Sequence, residues 1–423
     1  MTPVDATARM DNDSGIEVEV LPFVRMPMLD RDEQLVAYEI CHQPGGDASL
    51  AQATLQLLGD PCLKPLTGNQ LSFLVADADL LCGHGEALRF DERVGPRVDA
   101  ELAVRDDVFA LLRNMAARGV PVMIDNPVWP DEMPPGAATQ RLKELVQLVR
   151  CVGIDVRRHD ESTLLFAVAS LRAAYAGVTI IAACLQDHRA HHACMDLGFD
   201  AFEGPYLLKP APQRAVDTLK PNRLNVLRLL AAVQNPENGP VELEELIRND
   251  AVLSYKLLNC VNSAYFSLPR ELKSLQQAAI FFGVARLRNW IYALALGELD
   301  DAQPELLKQA LLRARMSELL ARRLPLEQRE MAFTMGLFSL LDNIMGVPMQ
   351  RVLADVPVAD LVRNALVNGS GPLAALLKRI RDWENVDPRA GGTEACDAEA
   401  AEAYLGAVEW AEHVYSFARR NAA

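Results

Sequence analysis

From residue 18 to about residue 209, short apolar runs alternate with segments of helical period; beyond residue 222 the short runs stop. That switch constrains the fold more than any other feature of the chain. VEVLPFVRM and QLVAYEI flank LDRDE, which has turn chemistry, so they read as a hairpin or two adjacent strands. LSFLVA (71–76), VPVMID (120–125), CVGIDV (151–156), VTIIAA (178–183) and DAFEGPYL (200–207) read as further strands. Between them, Val104, Val108, Leu111, Leu112 and Met115 share one helical face and Gly119 ends that helix. Further helices are expected over 138–150 and 163–176. Strands and helices alternating at a spacing of roughly 30 residues imply a parallel sheet joined by crossovers. A (β/α) barrel fits, with functional residues at the C-terminal strand ends.

KPAPQRAVDTLKPN (209–222) reads as a linker from its prolines and polar residues, and the pattern beyond it is helical. In SLQQ (274–277), Ser274 can cap a helix and Gln277 can reciprocate; Gly283 is placed to end it. Pro304 suits a first helical position. AFTMGLFSLLDNIMG reads as one central buried helix. Residues 384–397 form a loop, and a last helix carries Tyr404, Val408, Ala411 and Tyr415 on one face, packing back on the bundle. The fold class is therefore α/β plus all-α: a polar tail over 1–17, a barrel over 18–212 and a helical domain over 213–423.

With 423 residues, half of them apolar, each domain can bury a core. The net charge of -15 repels nucleic acid and anionic membranes, and the one loose basic group (Arg313, Arg315, Arg322, Arg323) is interrupted by Glu318. The eight cysteines form no CxxC pair and read as reduced thiols. The N-terminus lacks the apolar core of a signal peptide, and no apolar run is long enough to span a membrane. A cytoplasmic protein without nucleic-acid or membrane partners is expected. There is no P-loop, HExxH or dinucleotide-binding glycine run, and no cofactor is expected.

VAYEI (36–40), RGVPVMIDN (118–126) and GFDAFEGPYLLKP (198–210) resemble segments of the EAL phosphodiesterase family. The resemblance covers roughly 18–212 and implies a barrel that cleaves cyclic di-GMP with two metal ions held by carboxylates. Carried over residue by residue, the signature glutamate is Glu39 and a nearby arginine falls at Gln43. A metal-binding asparagine falls at Val75, and paired aspartates become Asp125 and Asn126. A lysine falls at Gly153, with Asp155 two residues on; a glutamate falls at Ala183, and a glutamine is Glu203. One more glutamate belongs near 97–101, without an assigned residue. Val75 and Ala183 have no donor atoms, so neither metal nor hydrolysis is expected. Glu39, Asp125, Asp155 and Glu203 remain as a vestigial ligand set, or as polar residues retained by packing.

NPENGPVELEELIRNDAVLSYKLLNCVNSAYFSLPRELKSLQQAAIFFGVARLRNWI resembles the HDOD family, a branch of the HD superfamily without catalysis. The match includes Asp250 before a helix, the tripeptide Asn262, Ser263, Ala264, the Ser-capped helix and Gly283. Where catalytic HD relatives have a His-Asp dyad, GLFSLLD puts Ser339 and Leu340, with Asp342 two residues later. No histidine occurs between His192 and His413. The pair of resemblances implies a bacterial two-domain signalling protein.

The expected function is regulation through protein contacts, without enzymatic activity and with signalling proteins as partners; a homodimer is implied by resemblance. Two alternatives stand beside it. One is a cyclic di-GMP effector that binds without cleaving. The other is a hydrolase with an unrecognised site at His188, His191 and His192 or at Asp342. Those histidines sit at helical spacing and read as a solvated helix face rather than a metal site. Tyr265 and Phe266 could anchor a partner or pack between helices, and Trp290 reads as core. ELEELIRNDAVLSYKLLNCVN superficially looks like a helix–turn–helix but lacks a basic recognition helix.

Overall fold

The structure, a computed structural model, describes residues 22–43, 49–85, 88–127, 136–175, 177–209, 221–234, 238–248, 250–266, 268–299, 302–356, 358–385 and 397–419. The expected tail and nearly all of the linker lie outside them. Contacts divide the chain into two compact units. One is Leu21–Ala211 with Asp382–Leu405; the other is Pro212–Arg381 with Gly406–Ala423.

The first unit is a closed barrel of eight strands in chain order. They are β1 (Phe23–Asp30), β2 (Leu35–His42), β3 (Ser72–Val75), β4 (Val94–Asp99), β5 (Met123–Asp125), β6 (Cys151–Asp155), β7 (Thr179–Ala183) and β8 (Ala201–Glu203). β1 pairs antiparallel with both β2 and β8, and the other neighbours are parallel. The β1–β2 hairpin turns where LDRDE stands. Asp30 Oδ1 accepts from the amides of Asp32 (2.9 Å) and Gln34 (2.8 Å), and Glu33 takes a positive φ of 59°. β4 is absent from the sequence reading because Gly95 and Pro96 within it argue against a strand. The glycine is required by close approach: a Cβ there would lie 1.6 Å from the Pro121 carbonyl oxygen.

Side chains alternate across each strand, so residues two apart stack in layers inside the barrel. One layer is apolar: Met28, Ala37, Phe73, Met123, Cys151, Ile181 and Ala201. Phe73 is fully buried, a side chain whose removal from water is worth about 1.5–3 kcal/mol. Two residues further along the parallel strands come Glu39, Val75, Asp125, Gly153, Ala183 and Glu203. Register pairs Val75 with Arg97 and Asp125 with Gly153, so β4 contributes Arg97 to this polar layer.

Also within the barrel unit, the Tyr404 hydroxyl accepts from the Arg25 amide (3.1 Å), and Gln43 Nε2 donates to the Trp383 carbonyl (2.5 Å). The Trp383 carbonyl and the Tyr404 hydroxyl are thus satisfied by residues of β1 and the end of β2.

The second unit is helical. Asp250 caps Ala251–Val261 by accepting from the Leu253 amide (2.9 Å), and Pro304 opens Pro304–Leu320. Ser274 caps Leu275–Phe282, but Gln277 Oε1 accepts from the Lys273 amide rather than from the cap residue itself. The single helix expected over AFTMGLFSLLDNIMG is two, Leu326–Phe338 and Leu341–Met345. Ser339 makes the break, because its hydroxyl donates to the Gly336 carbonyl (2.6 Å) and accepts from Arg313 Nη1 (2.9 Å). Trp290 is core.

Candidate functional site

Arg97 is 1% exposed and stands at the centre of the polar layer. Its Nε donates to Asp125 Oδ2 at 2.7 Å, Nη1 to Glu203 Oε2 at 3.0 Å, and Nη1 lies 2.8 Å from Glu39 Oε2. Three strands from distant parts of the chain thus present carboxylates to one guanidinium. Burial opposes the arginine's charge, but Asp125, Glu39 and Glu203 outweigh it and hold its pKa well above the ordinary value. Gly153 leaves the space for this: a Cβ there would stand 2.2 Å from Asp125 Oδ1 and 3.4 Å from Arg97 Nη2.

Toward the C-terminal strand ends, Asn126 and Cys184 adopt positive φ (47° and 66°) directly after β5 and β7. Asn126 ties three strands together. Its Oδ1 accepts from the Asp155 amide (2.9 Å), its Nδ2 donates to Asp99 Oδ2 (3.3 Å) and its amide donates to the Gly153 carbonyl (2.8 Å). Asp155, on the neighbouring strand end, is held by Arg157 through Nε (3.0 Å) and Nη2 (2.9 Å) rather than by Arg97. Arg158 lies 3.7 Å from Asp155 and 4.0 Å from Asp99 and is about half exposed. The mouth of the barrel thus offers guanidinium groups able to meet phosphate.

Of the four candidate barrel residues, the structure gathers Glu39, Asp125 and Glu203 and sets Asp155 apart. Sequence reasoning missed Arg97, the residue that gathers them. In the stretch 97–101, where the resemblance implies a glutamate, the layer position belongs to Arg97, and Glu101 lies in the helix Ala100–Ala103. The paired metals of the EAL pattern do not fit this arrangement. The carboxylates already surround a fixed cation, and Val75 and Ala183 add no donor. Among the described residues, no group of three or more His, Cys, Asp or Glu is arranged to hold a metal ion.

In the helical unit, Asn262 pairs with the Leu272 backbone, donating to its carbonyl (2.8 Å) and accepting from its amide (2.7 Å). Ser263 donates to the Cys260 carbonyl (2.7 Å) and lies 2.8 Å from His413 Nε2. Ala264 begins a short turn of helix, and Gly283, at φ 89°, joins Leu275–Phe282 to Val284–Gly297. Tyr265 stacks on His413 (4.6 Å between centroids) and Phe266 packs on Trp290 (5.0 Å), so both fill space between helices. Asp342 has its pKa raised by burial, against opposing pulls that include Arg381 and Arg313.

The histidines of the helix His188–Asp196 are not a solvated face. His191 stacks on Tyr206 (4.5 Å) and meets Phe202 edge-on (4.6 Å), and His188 Nε2 lies 3.0 Å from the Lys209 carbonyl; His192 alone is exposed. Burial, with His192 and His188 adding repulsion, lowers the His191 pKa to about 4.

The HDOD domain family matches residues 222–365. Residues 222–365 form an HDOD domain. The chain is 28% identical over 291 residues to a Vibrio cholerae protein named cyclic di-GMP phosphodiesterase CdgJ, covering 67% of this chain and 65% of that one. It is 21% identical over 413 residues to the uncharacterized Bacillus subtilis protein YuxH, covering 92% and 98%. Among solved structures, Bacillus subtilis YkuI, with an EAL domain and in complex with cyclic di-GMP and calcium, is similar over 62% of this chain and 74% of that one, at 16% identity and a TM-score of 0.33.

The expectation of a chain without enzymatic activity is corrected by CdgJ, a relative that bears the name of a phosphodiesterase. That expectation counted missing metal donors strand by strand, an argument about one site and not about what the chain does. No described helix is long and apolar enough to cross a membrane.

Proposed function

We propose that the chain acts in cyclic di-GMP signalling, with the dinucleotide engaged at the C-terminal mouth of the barrel. The similarity to CdgJ carries this reading. The geometry supports it through Arg157 and Arg158, in the short turn Val156–Arg158 after β6, which stands at the face where barrels of this kind bind ligands. Guanidinium groups suit the two phosphates of such a ligand. The HDOD domain offers surface to signalling proteins: Tyr255, Ile280 and Phe281 are exposed apolar side chains on the helices Ala251–Val261 and Leu275–Phe282. Both helices pack on Pro240–Arg248.

The test is a calorimetric titration with cyclic di-GMP, with and without Mg²⁺ or Mn²⁺, and chromatography of the same samples for the linear dinucleotide. Saturable binding is expected, weakened roughly tenfold by Arg158→Glu, because a charge-assisted hydrogen bond is worth about 1.5–3 kcal/mol. Neither heat nor product, with a control receptor responding, refutes the reading.

A further inference from the structure

We infer that Arg97 is the resident cation of the barrel, its guanidinium standing between Glu39, Asp125 and Glu203 where the resemblance to EAL enzymes places divalent metal. Four observations carry this. Arg97 lies in the same side-chain layer as the positions at which that family's polar residues fall, paired across the sheet with Val75. It reaches all three carboxylates within 3.0 Å from a side chain that is 1% exposed. Among the described residues the layer holds no other cationic side chain: the residue at the position of the family's lysine is Gly153, and the space beside it is taken by Asp125 and Arg97. The carboxylate oxygens are spaced around nitrogens at hydrogen-bonding distance, whereas a bound divalent ion needs oxygens at about 2.0–2.6 Å from one centre.

A guanidinium suits the role physically. It stays charged at every accessible pH, and its fork of donors meets carboxylates from several directions. Its charge is covalently fixed, so a divalent ion entering among the same oxygens would meet both the steric bulk and the repulsion of Arg97. The inference does not rest on the cyclic di-GMP reading, since it concerns what neutralises the barrel's own carboxylates.

The test uses the full chain and Mn²⁺ alone, with free Mn²⁺ counted by electron paramagnetic resonance and melting followed in parallel. Wild type is expected to take up no stoichiometric Mn²⁺ and to melt at the same temperature in Mn²⁺ and in EDTA. Arg97→Met is expected to melt lower, to gain one Mn²⁺ per chain, to recover stability when Mn²⁺ is added, and to lose that gain with Glu39→Gln. Arg97→Lys keeps the charge and is expected to stay free of Mn²⁺. Should Arg97→Met fail to fold, wild type decides: no uptake supports the assignment. Stoichiometric uptake by wild type that disappears in Glu39→Gln overturns it, as does an Arg97→Met protein of unchanged stability that takes up no Mn²⁺.

Discussion

Gly153→Ala should destabilise the barrel far more than a single methyl in a strand ordinarily does. The added Cβ would lie 2.2 Å from Asp125 Oδ1 and 2.6 Å from Met123 Cε. The Met123 methyl is the end of a flexible chain and can turn aside. The Asp125 oxygen cannot turn aside alone, because the carboxylate is planar and its other oxygen sits 2.7 Å from Arg97 Nε. Restoring ordinary contact takes a shift of about 1 Å, which breaks that hydrogen bond or drags Arg97 off Glu39 and Glu203. Overpacking costs about 1–3 kcal/mol, and a weakened charged hydrogen bond adds about 1.5–3 kcal/mol. Loss of glycine's freedom in the unfolded chain returns about 0.4–1 kcal/mol. The net is about 2–5 kcal/mol, or roughly 5–15 °C in the melting temperature of a domain this size. Circular dichroism melts of the full chain read this directly, and in an Arg97→Met background the same substitution should cost less, since the ion pair with Arg97 is no longer there to be broken. A Gly153→Ala protein that melts within about 2 °C of wild type would refute the reasoning.

The lowered pKa of His191 gives a pH dependence. Unfolded, the imidazole takes a proton near 6.5; folded, it resists until about 4, so stability present above 6.5 is lost as pH falls toward 4. His191→Phe should flatten the melting temperature over that window, and titration of the imidazole by NMR should place it well below 6.5; an ordinary value rejects the assignment. Asn262→Ala removes both hydrogen bonds to the Leu272 backbone and should cost about 2–3 kcal/mol in denaturant unfolding, whereas a cost under about 0.5 kcal/mol would show that the bridge is dispensable.

Much of the barrel was legible because buried strands leave apolar runs. VTIIAA and CVGIDV became β7 and β6 nearly as written, and the turn residues of LDRDE closed the hairpin. β4 was not, since Gly95 and Pro96 read against a strand, and the close approach of Pro121 that requires the glycine comes from another strand's lead-in. Arg97 was hidden with it. An arginine reads as a solvated residue until three carboxylates from other strands are seen to converge on it, and no local pattern announces that convergence. A lone arginine bracketed by Val94, Pro96 and Val98 was the one available signal. The break at Ser339 was hidden for the same reason, because the Arg313 that meets it sits on another helix. Ser274 as a cap and Pro304 at a first helical position were read correctly because helix starts are decided within four residues.

The close fit of Gly153 against Asp125 and Arg97 makes the residues tolerated at positions 97 and 153 depend on each other. Putting a lysine side chain at 153 while Arg97 remains would force it into space already taken. Replacing Arg97 with an acid while 153 stays glycine would leave the layer's carboxylates with no positive charge among them. Either change alone is therefore expected to cost the barrel stability. A survey that varies one position at a time would score both as intolerant, although the constraint belongs to the pair and not to either residue.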